Sequence, residues 1–335
     1  MLSLVLKRNG ILYITIREEV FLEYHVRHMG TLIMQRIIFF CVFILFASEC
    51  LGGEIHQGIR SYRAGDFKKA FEIFSNLAEQ GDGEAQNNLG AMFDKGEGVD
   101  QDFAQAAKWY ALAAKQGNSD AQNNLGLLYE DGCGVERNYS KAISFYTLAA
   151  GKGNASAQFN LGLMYNDGKG IAKDYSVARY WFEKAAENQH PDAQFNLGCM
   201  YDFGLGVKKN YEAARSWYVK AAEQGHADAQ YNLGSIYDKG EGVNKDPVTA
   251  SDWYLKAAAN GHAEAQYNLG IMYSYGQGVI VDFVQSYLWL NLANAGGYPP
   301  ALAHLNKVKK AMTPTQIAEA QRQSRIIRAK ISAEQ

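Results

Sequence analysis

Three histidines fall at a fixed interval, His190, His226 and His262, each 36 residues from the next. Such a row invites a metal site. Zinc holds its nitrogen ligands at about 2.0–2.1 Å, whereas side chains on successive packed helical units sit roughly 8–10 Å apart or more. Three ligands so spaced cannot share one ion within a single chain, so the row reads as turn residues. Gly-x-Gly-Val, as at Gly204, Gly206 and Val207, has the look of a phosphate loop. It recurs six times between two helical patterns, so it reads as a hinge between helices. No Gly-x-Gly-x-x-Gly, P-loop, nucleophile elbow or His-Glu-x-x-His occurs, and no nucleophile is paired with a base. The sequence therefore calls for no cofactor and no metal, and it reads as non-enzymatic. Four cysteines show no Cys-x-x-Cys spacing. Cys133 and Cys199 lie two units apart at unlike positions, and a disulfide needs Cα atoms within about 7 Å, which leaves two free thiols.

Two amide rows are periodic throughout, Gln86 to Gln266 and Asn88 to Asn268, both in steps of 36 residues. Identity between units favours an architectural task, such as satisfying helix ends or neighbouring units; a peptide-binding ladder is the alternative. Trp109, Trp181, Trp217, Trp253 and Trp289 fall at a packing phase of a helix and read as core. The positions that differ between units carry more information. One reads Asn87, Asn123, Phe159, Phe195, Tyr231, Tyr267, and another Asp94, Glu130, Asn166, Asp202, Asp238, Ser274. Aromatic anchors beside a polar rim describe a protein-binding surface. Phe159, Phe195, Tyr231 and Tyr267 are the expected anchors, with Asp202 and Asp238 selecting basic residues of the ligand. The competing reading packs some of these rings between units.

These residues need a frame that repeats every 36 positions. Ala193-Gln194-Phe195-Asn196-Leu197-Gly198-Cys199-Met200-Tyr201 is one copy, with others beginning at Ala85, Ala121, Ala157, Ala229 and Ala265. In a first helix, helix A, Ala193, Leu197, Met200 and Tyr201 share one stripe at 100° per residue. Gly198 costs about 1 kcal/mol there relative to Ala, so a close partner helix must require it. Gly204 ends the helix as a left-handed cap. Asn210, or Asp in other units, caps a second helix, helix B, and Pro247 marks the first turn of one copy. Ala214, Trp217, Tyr218, Ala221 and Ala222 pack helix B.

Ala-Gln-x-Asn-Leu-Gly-x-Met-Tyr, Gly-x-Gly-Val and Lys-x-Ala/Trp-Tyr-x-Lys-Ala-Ala-Glu-x-Gly together resemble the Sel-one-like repeat family, a branch of the tetratricopeptide superfamily. The likeness covers about residues 83–297, with Phe145 replacing the Trp, Gln189 the terminal Gly and Ser286 a packing Ala. It implies an all-α solenoid of stacked antiparallel hairpins whose helix A residues line a concave groove. It also implies adaptor roles in membrane-associated assemblies, protein quality control, or the bacterial envelope and virulence. Cysteine-rich relatives have been linked to penicillin binding, but they carry paired cysteines in every repeat, which this chain lacks.

The expected organisation has five parts. Residues 1–33 match no repeat and read as an upstream or disordered extension. Residues 34–52 read as a signal peptide: Met34, a positive Gln35-Arg36, ten apolar residues from Ile37 to Phe46, then small residues. Residues 53–82 form a degenerate first repeat, residues 83–298 six regular ones, and residues 299–335 a partial repeat with a basic capping helix. Thr313-Pro314-Thr315-Gln316 opens that helix with a capping box, and Ile317, Ile327 and Ile331 give it an apolar stripe. Gly53 to Asn306 holds 21 Lys/Arg against 29 Asp/Glu, whereas Lys307 to Gln335 holds 7 against 2. An acidic body argues against a nucleic-acid partner. The expectation is an exported monomer, periplasmic or secreted, or in the ER lumen if the source is eukaryotic, that binds a protein or peptide. It meets a membrane only through its partner or an uncleaved leader. The alternatives are a cell-envelope enzyme, penicillin-binding or hydrolytic, and a purely structural spacer.

Overall fold

The computed structural model describes residues 53–334, so the expectations for the leader, including Cys41 and Cys50, lie outside the described residues. The described chain is helical throughout and falls into two compact units, ending and beginning at Gln101 and Asp102. The first holds α1 (residues 53–63), α2 (Phe67–Glu79) and α3 (Gly83–Lys95). The second begins with α4 (Phe103–Lys115) and continues as five hairpins. These pair α5 (Ser119–Asp131) with α6 (Tyr139–Ala150), α7 (Ala155–Asp167) with α8 (Tyr175–Glu187), and α9 (Pro191–Phe203) with α10 (Tyr211–Glu223). They go on to pair α11 (Ala227–Lys239) with α12 (Pro247–Ala259) and α13 (Ala263–Tyr275) with α14 (Phe283–Ala295). Each helix B also packs on the next helix A, which makes this unit an α-solenoid. Two helices close it, α15 (Pro300–Lys310) and α16 (Pro314–Glu334).

The local grammar of the sequence sets these boundaries. Gly204 holds φ +73° at the end of α9, and the Asn210 side chain accepts the backbone N–H of Ala213 at the start of α10. Pro247 takes the first position of α12, where a missing N–H costs nothing. Gly198 answers its expectation: a Cβ there would stand 2.5 Å from the Tyr218 ring of α10. Gly206 does more than hinge the chain. A Cβ on it would come within 2.6 Å of Tyr175 Cβ, so this loop lies against the start of the preceding helix B.

The core repeats as one small cluster per hairpin. Ala193, Leu197 and Met200 of α9 close on Phe182, Ala185 and Ala186 of α8, and the next cluster copies this with Tyr218 in place of Phe182. The tryptophan reading needs correction here. Trp181, Trp217 and Trp253 are half-buried, and each packs against the cluster of the hairpin before it. The residue after the Trp is the buried one: Tyr110, Tyr146, Phe182, Tyr218 and Tyr254 are at most 2 % exposed. Lys220 and Lys256 lie over the outer faces of Trp217 and Trp253, at 3.9 and 4.0 Å.

The last helix departs from the pattern. α16 opens with the expected capping box, Thr313 N–H donating to Gln316 Oε1 and Gln316 N–H to Thr313 Oγ1. It packs along α14 rather than closing a hairpin with α15. Its deepest residues are Ala320 and Ser324, with Ile317, Ile327 and Ile331 half-buried beside them. Covered on this extra side, α14 buries Tyr287, Leu288, Trp289 and Leu290 in succession. Arg322, Arg325, Arg328 and Lys330 stay exposed.

Candidate functional site

The four expected anchors sit at the same place on α7, α9, α11 and α13, and all are half-buried. Each ring has one covered side. Phe159 stacks on His190 at 4.7 Å, Phe195 on His226 at 4.6 Å and Tyr231 on His262 at 4.5 Å. Tyr267 meets Tyr298 and His304 instead, its hydroxyl 3.1 Å from His304 Nδ1. Second contacts reach Phe182, Tyr218 and Tyr254 of helix B. The structure thus brings these rings together as a row and pins each one against its own scaffold.

The histidines explain that pinning. Each is the N-cap of the following helix A. His226 Nδ1 accepts the N–H of Ala229, and His262 Nδ1 that of Ala265. On the other ring nitrogen, His226 Nε2 lies 3.2 Å from Asp192 and His262 Nε2 3.3 Å from Asp228. Asn154 performs the same double task, capping Ala157 while donating to Asp120 at 2.7 Å. His190 breaks the series, because Ser156 stands where an acid would be, and its buried Nδ1 makes no hydrogen bond, lying 3.8 Å from Asp192. Burial pushes the His190 and His262 imidazoles below the ordinary histidine range. Among the described residues no group of three His, Cys, Asp or Glu could hold a metal ion.

Asp202 and Asp238 also have tasks inside the fold. Tyr218 donates its buried hydroxyl to Asp202 at 3.3 Å, as Tyr146 donates to Glu130 at 2.8 Å. Asp238 lies 3.7 Å from Lys245. Burial raises the Tyr254 hydroxyl above its ordinary range, and the negative charge of Asp238 adds to that rise. Where helix B carries Phe182 in place of Tyr, helix A carries Asn166; where it carries Leu290, helix A carries Ser274. Acid and hydroxyl thus change together from hairpin to hairpin. Sequence reasoning picks out the acid row, and Tyr218 as a packing residue of helix B, without joining the two, although the covariation is legible along the repeat. Burial raises the Asp202 carboxyl above the usual carboxylate range, against the pull of Lys209 and the Tyr218 hydroxyl. Both carboxylates remain half-exposed.

The glutamine row is architectural, as expected. From Gln122 to Gln266, every Nε2 donates to the carbonyl of the Ala eight residues earlier, at 3.0–3.4 Å, and so ties the end of helix B to the next helix A. The oxygen of the same amide takes a donor from one hairpin further on. Asn188 reaches Gln158, Gln224 reaches Gln194, and Asn260 reaches Gln230. The asparagine row is less uniform: Asn160 donates to Asn123 one hairpin back, and Asn196 to the Asp192 carbonyl in its own helix.

Sel1 repeat is the family whose model matches, over residues 51–82, 83–118, 119–154, 155–190, 191–226, 227–262 and 263–298. The chain belongs to the Sel1 repeat family. A Sel1 repeat protein from Oxalobacter formigenes is 35% identical, with a TM-score of 0.64 over 72% of this chain and 96% of that one. A protective antigen of uropathogenic Escherichia coli with an SLR fold is 28% identical, with a TM-score of 0.50 over 85% and 77%. The comparison with curated proteins finds no match. Sel1 repeats typically serve as non-enzymatic scaffolds for protein–protein interaction. Within this Sel1 array, the family motif supplies the caps, the glutamine ties and the ring-packing glycines, while the anchor and acid rows vary around them.

Proposed function

We propose that this chain is an exported, non-enzymatic scaffold that holds an extended peptide or partner protein along the helix A face of its Sel1 repeats. The observation that carries this reading is the row Phe159, Phe195, Tyr231 and Tyr267. Four large rings stand in register, half-exposed, each fixed on one side by a His or Tyr of the scaffold. A ring already held in place loses little freedom when a ligand covers its other side. Asp202 and Asp238 lie about two turns further along their helices and favour basic residues of the ligand. Export rests on the apolar stretch Ile37–Phe46 after Met34-Gln35-Arg36. The resemblance to a protective antigen accords with it.

The test must respect the packing of these rings. Truncation to Ala removes contacts between hairpins, so lost capture alone would not separate binding from stability. The chain itself carries Asn87 and Asn123 at the same position. The fourfold variant Phe159→Asn, Phe195→Asn, Tyr231→Asn, Tyr267→Asn should stay helical and lose capture of the partner crosslinked in the native cell. Capture at the wild-type level by a folded fourfold variant would remove this face as the site.

A further inference from the structure

The amide ties between hairpins form a ladder in which two rungs, at Gln122 and Gln266, lack their donor, and the second lies beside a surface cleft. At three successive rungs a primary carboxamide, Asn188, Gln224 or Asn260, donates to the oxygen of a buried Gln at 2.8–3.2 Å. Asn188 and Asn260 also donate to a backbone carbonyl of the preceding turn, Gly153 or Gly225. The corresponding donor for Gln266 would come from residue 296, which is Gly296. Gln266 is 3% exposed, and its Nε2 is committed to the Ala258 carbonyl at 3.0 Å. No hydrogen bond reaches its Oε1. At that place the surface has an open cleft of about 310 Å³, lined by His262, Ala263, Glu264, Gly296, Gly297 and Tyr298.

We infer that this cleft is a socket for the side-chain carboxamide of an Asn or Gln in a bound peptide, which would complete the ladder from outside. The chain itself shows which chemistry fits. At the Gln122 rung the donor position holds Lys152, whose ammonium turns to the Gly117 carbonyl at 2.6 Å. Gln122 Oε1 is then buried with no partner. An ammonium therefore does not serve the glutamine oxygen, whereas a planar –NH2 serves it three times. A carboxylate offers no donor to an acceptor. The cleft residue Tyr298 packs against Tyr267, ring centroids 5.1 Å apart and planes tilted by 52°, so the bound residue would lie at the end of the aromatic row. This inference rests on the peptide-scaffold reading and adds a residue preference to it.

The experiment is an NMR titration of the whole chain with the blocked tripeptides Ac-Gly-Asn-Gly-NHMe and Ac-Gly-Gln-Gly-NHMe, against versions with central Asp, Lys or Ala. The carboxamide peptides should shift the Gln266 side-chain amide and Tyr298 saturably, and the other three should bind about tenfold more weakly or less. Gly296→Asn, which supplies the rung from within, should abolish those shifts. Gly296→Ala, whose Cβ would meet Ala263 Cβ at 3.3 Å and the Leu292 and Ala293 carbonyls at 3.4 and 3.5 Å, should keep them. Equal shifts from the Ala peptide, or unchanged shifts in a folded Gly296→Asn, would overturn the socket. The threefold variant Phe159→Asn, Phe195→Asn, Tyr231→Asn leaves both the rung and the Tyr267–Tyr298 contact intact. Loss of partner capture in that variant and loss of tripeptide binding in Gly296→Asn therefore report on the two readings separately.

Discussion

Single residues carry the irregularities of this array, and each has a measurable cost. Gln189 is the only non-glycine at positive φ among the described residues, at 61°, where its counterparts include Gly117, Gly225 and Gly261. A left-handed conformation costs an L-residue roughly 1–2 kcal/mol, partly offset by the greater freedom glycine has when unfolded. Gln189→Gly should therefore raise stability by about 0.5–1 kcal/mol, read as a higher urea midpoint at unchanged m. Lys152→Asn should restore the donor that Gln122 Oε1 lacks and add about 1 kcal/mol in the same measurement. The Gln189 departure was legible from the repeat alignment within the chain. The Lys152 one was not, because the donor and acceptor of a rung lie 30 residues apart on different hairpins and neither is unusual alone. The anchor rings were legible as a row. That they stack on imidazoles was not, since a 36-residue register shows which positions correspond without showing which ones touch.

At the scale of the helix, capping and close approach decide behaviour. His262 and its Asp228 partner tie one helix start to the preceding hairpin through a neutral imidazole, and His190 occupies the equivalent cap. Their folded-state pKa values lie below the free histidine value of 6.5, so the unfolded chain binds more protons as pH falls through that value. Stability from these groups is complete above about pH 6.5 and is lost as pH drops toward the folded pKa values. The double variant His190→Asn, His262→Asn, which copies the Asn154 cap, should lose less stability between pH 7.5 and 5.5 than wild type in paired urea titrations. Helix A glycine gives the opposite lesson from propensity. Gly198→Ala should gain about 1 kcal/mol of helix preference yet force a Cβ to 2.5 Å from Tyr218. Overpacking of this kind costs about 1–3 kcal/mol, so the net change should be destabilising, visible as a lower thermal midpoint. The helix ends were readable almost to the residue because glycine, Asn, Asp and Pro each act locally. The burial order within helix B was misread at the tryptophans, because Trp and the following Tyr or Phe fall 100° apart and both look apolar; only packing against the facing glycine selects the smaller ring.

For the molecule as a whole, an array of hairpins must close its end, and α16 does so by covering α14. Deleting residues 313–335 would uncover Tyr287 and Leu288, now 4% and 1% exposed. Fully burying a large apolar side chain contributes about 1.5–3 kcal/mol, so the truncated chain should lose about 3 kcal/mol or more and self-associate, measured by urea unfolding and light scattering. No helix among the described residues is long and apolar enough to cross a membrane. The pairing of acid with hydroxyl bears on how such a chain is inherited. Glu130 with Tyr146, Asn166 with Phe182 and Asp202 with Tyr218 are matched inside one hairpin, whereas the ties between hairpins reuse one glutamine and one carbonyl. Whole 36-residue blocks can therefore be duplicated or excised in tandem with their private matches intact and their joints interchangeable. A crossover inside a hairpin has no such licence: it would set an aspartate against a phenylalanine or leave a buried hydroxyl without its acceptor. Rearrangement of such an array would be filtered by phase: whole-block changes in length would keep its rings matched, and out-of-phase ones would not.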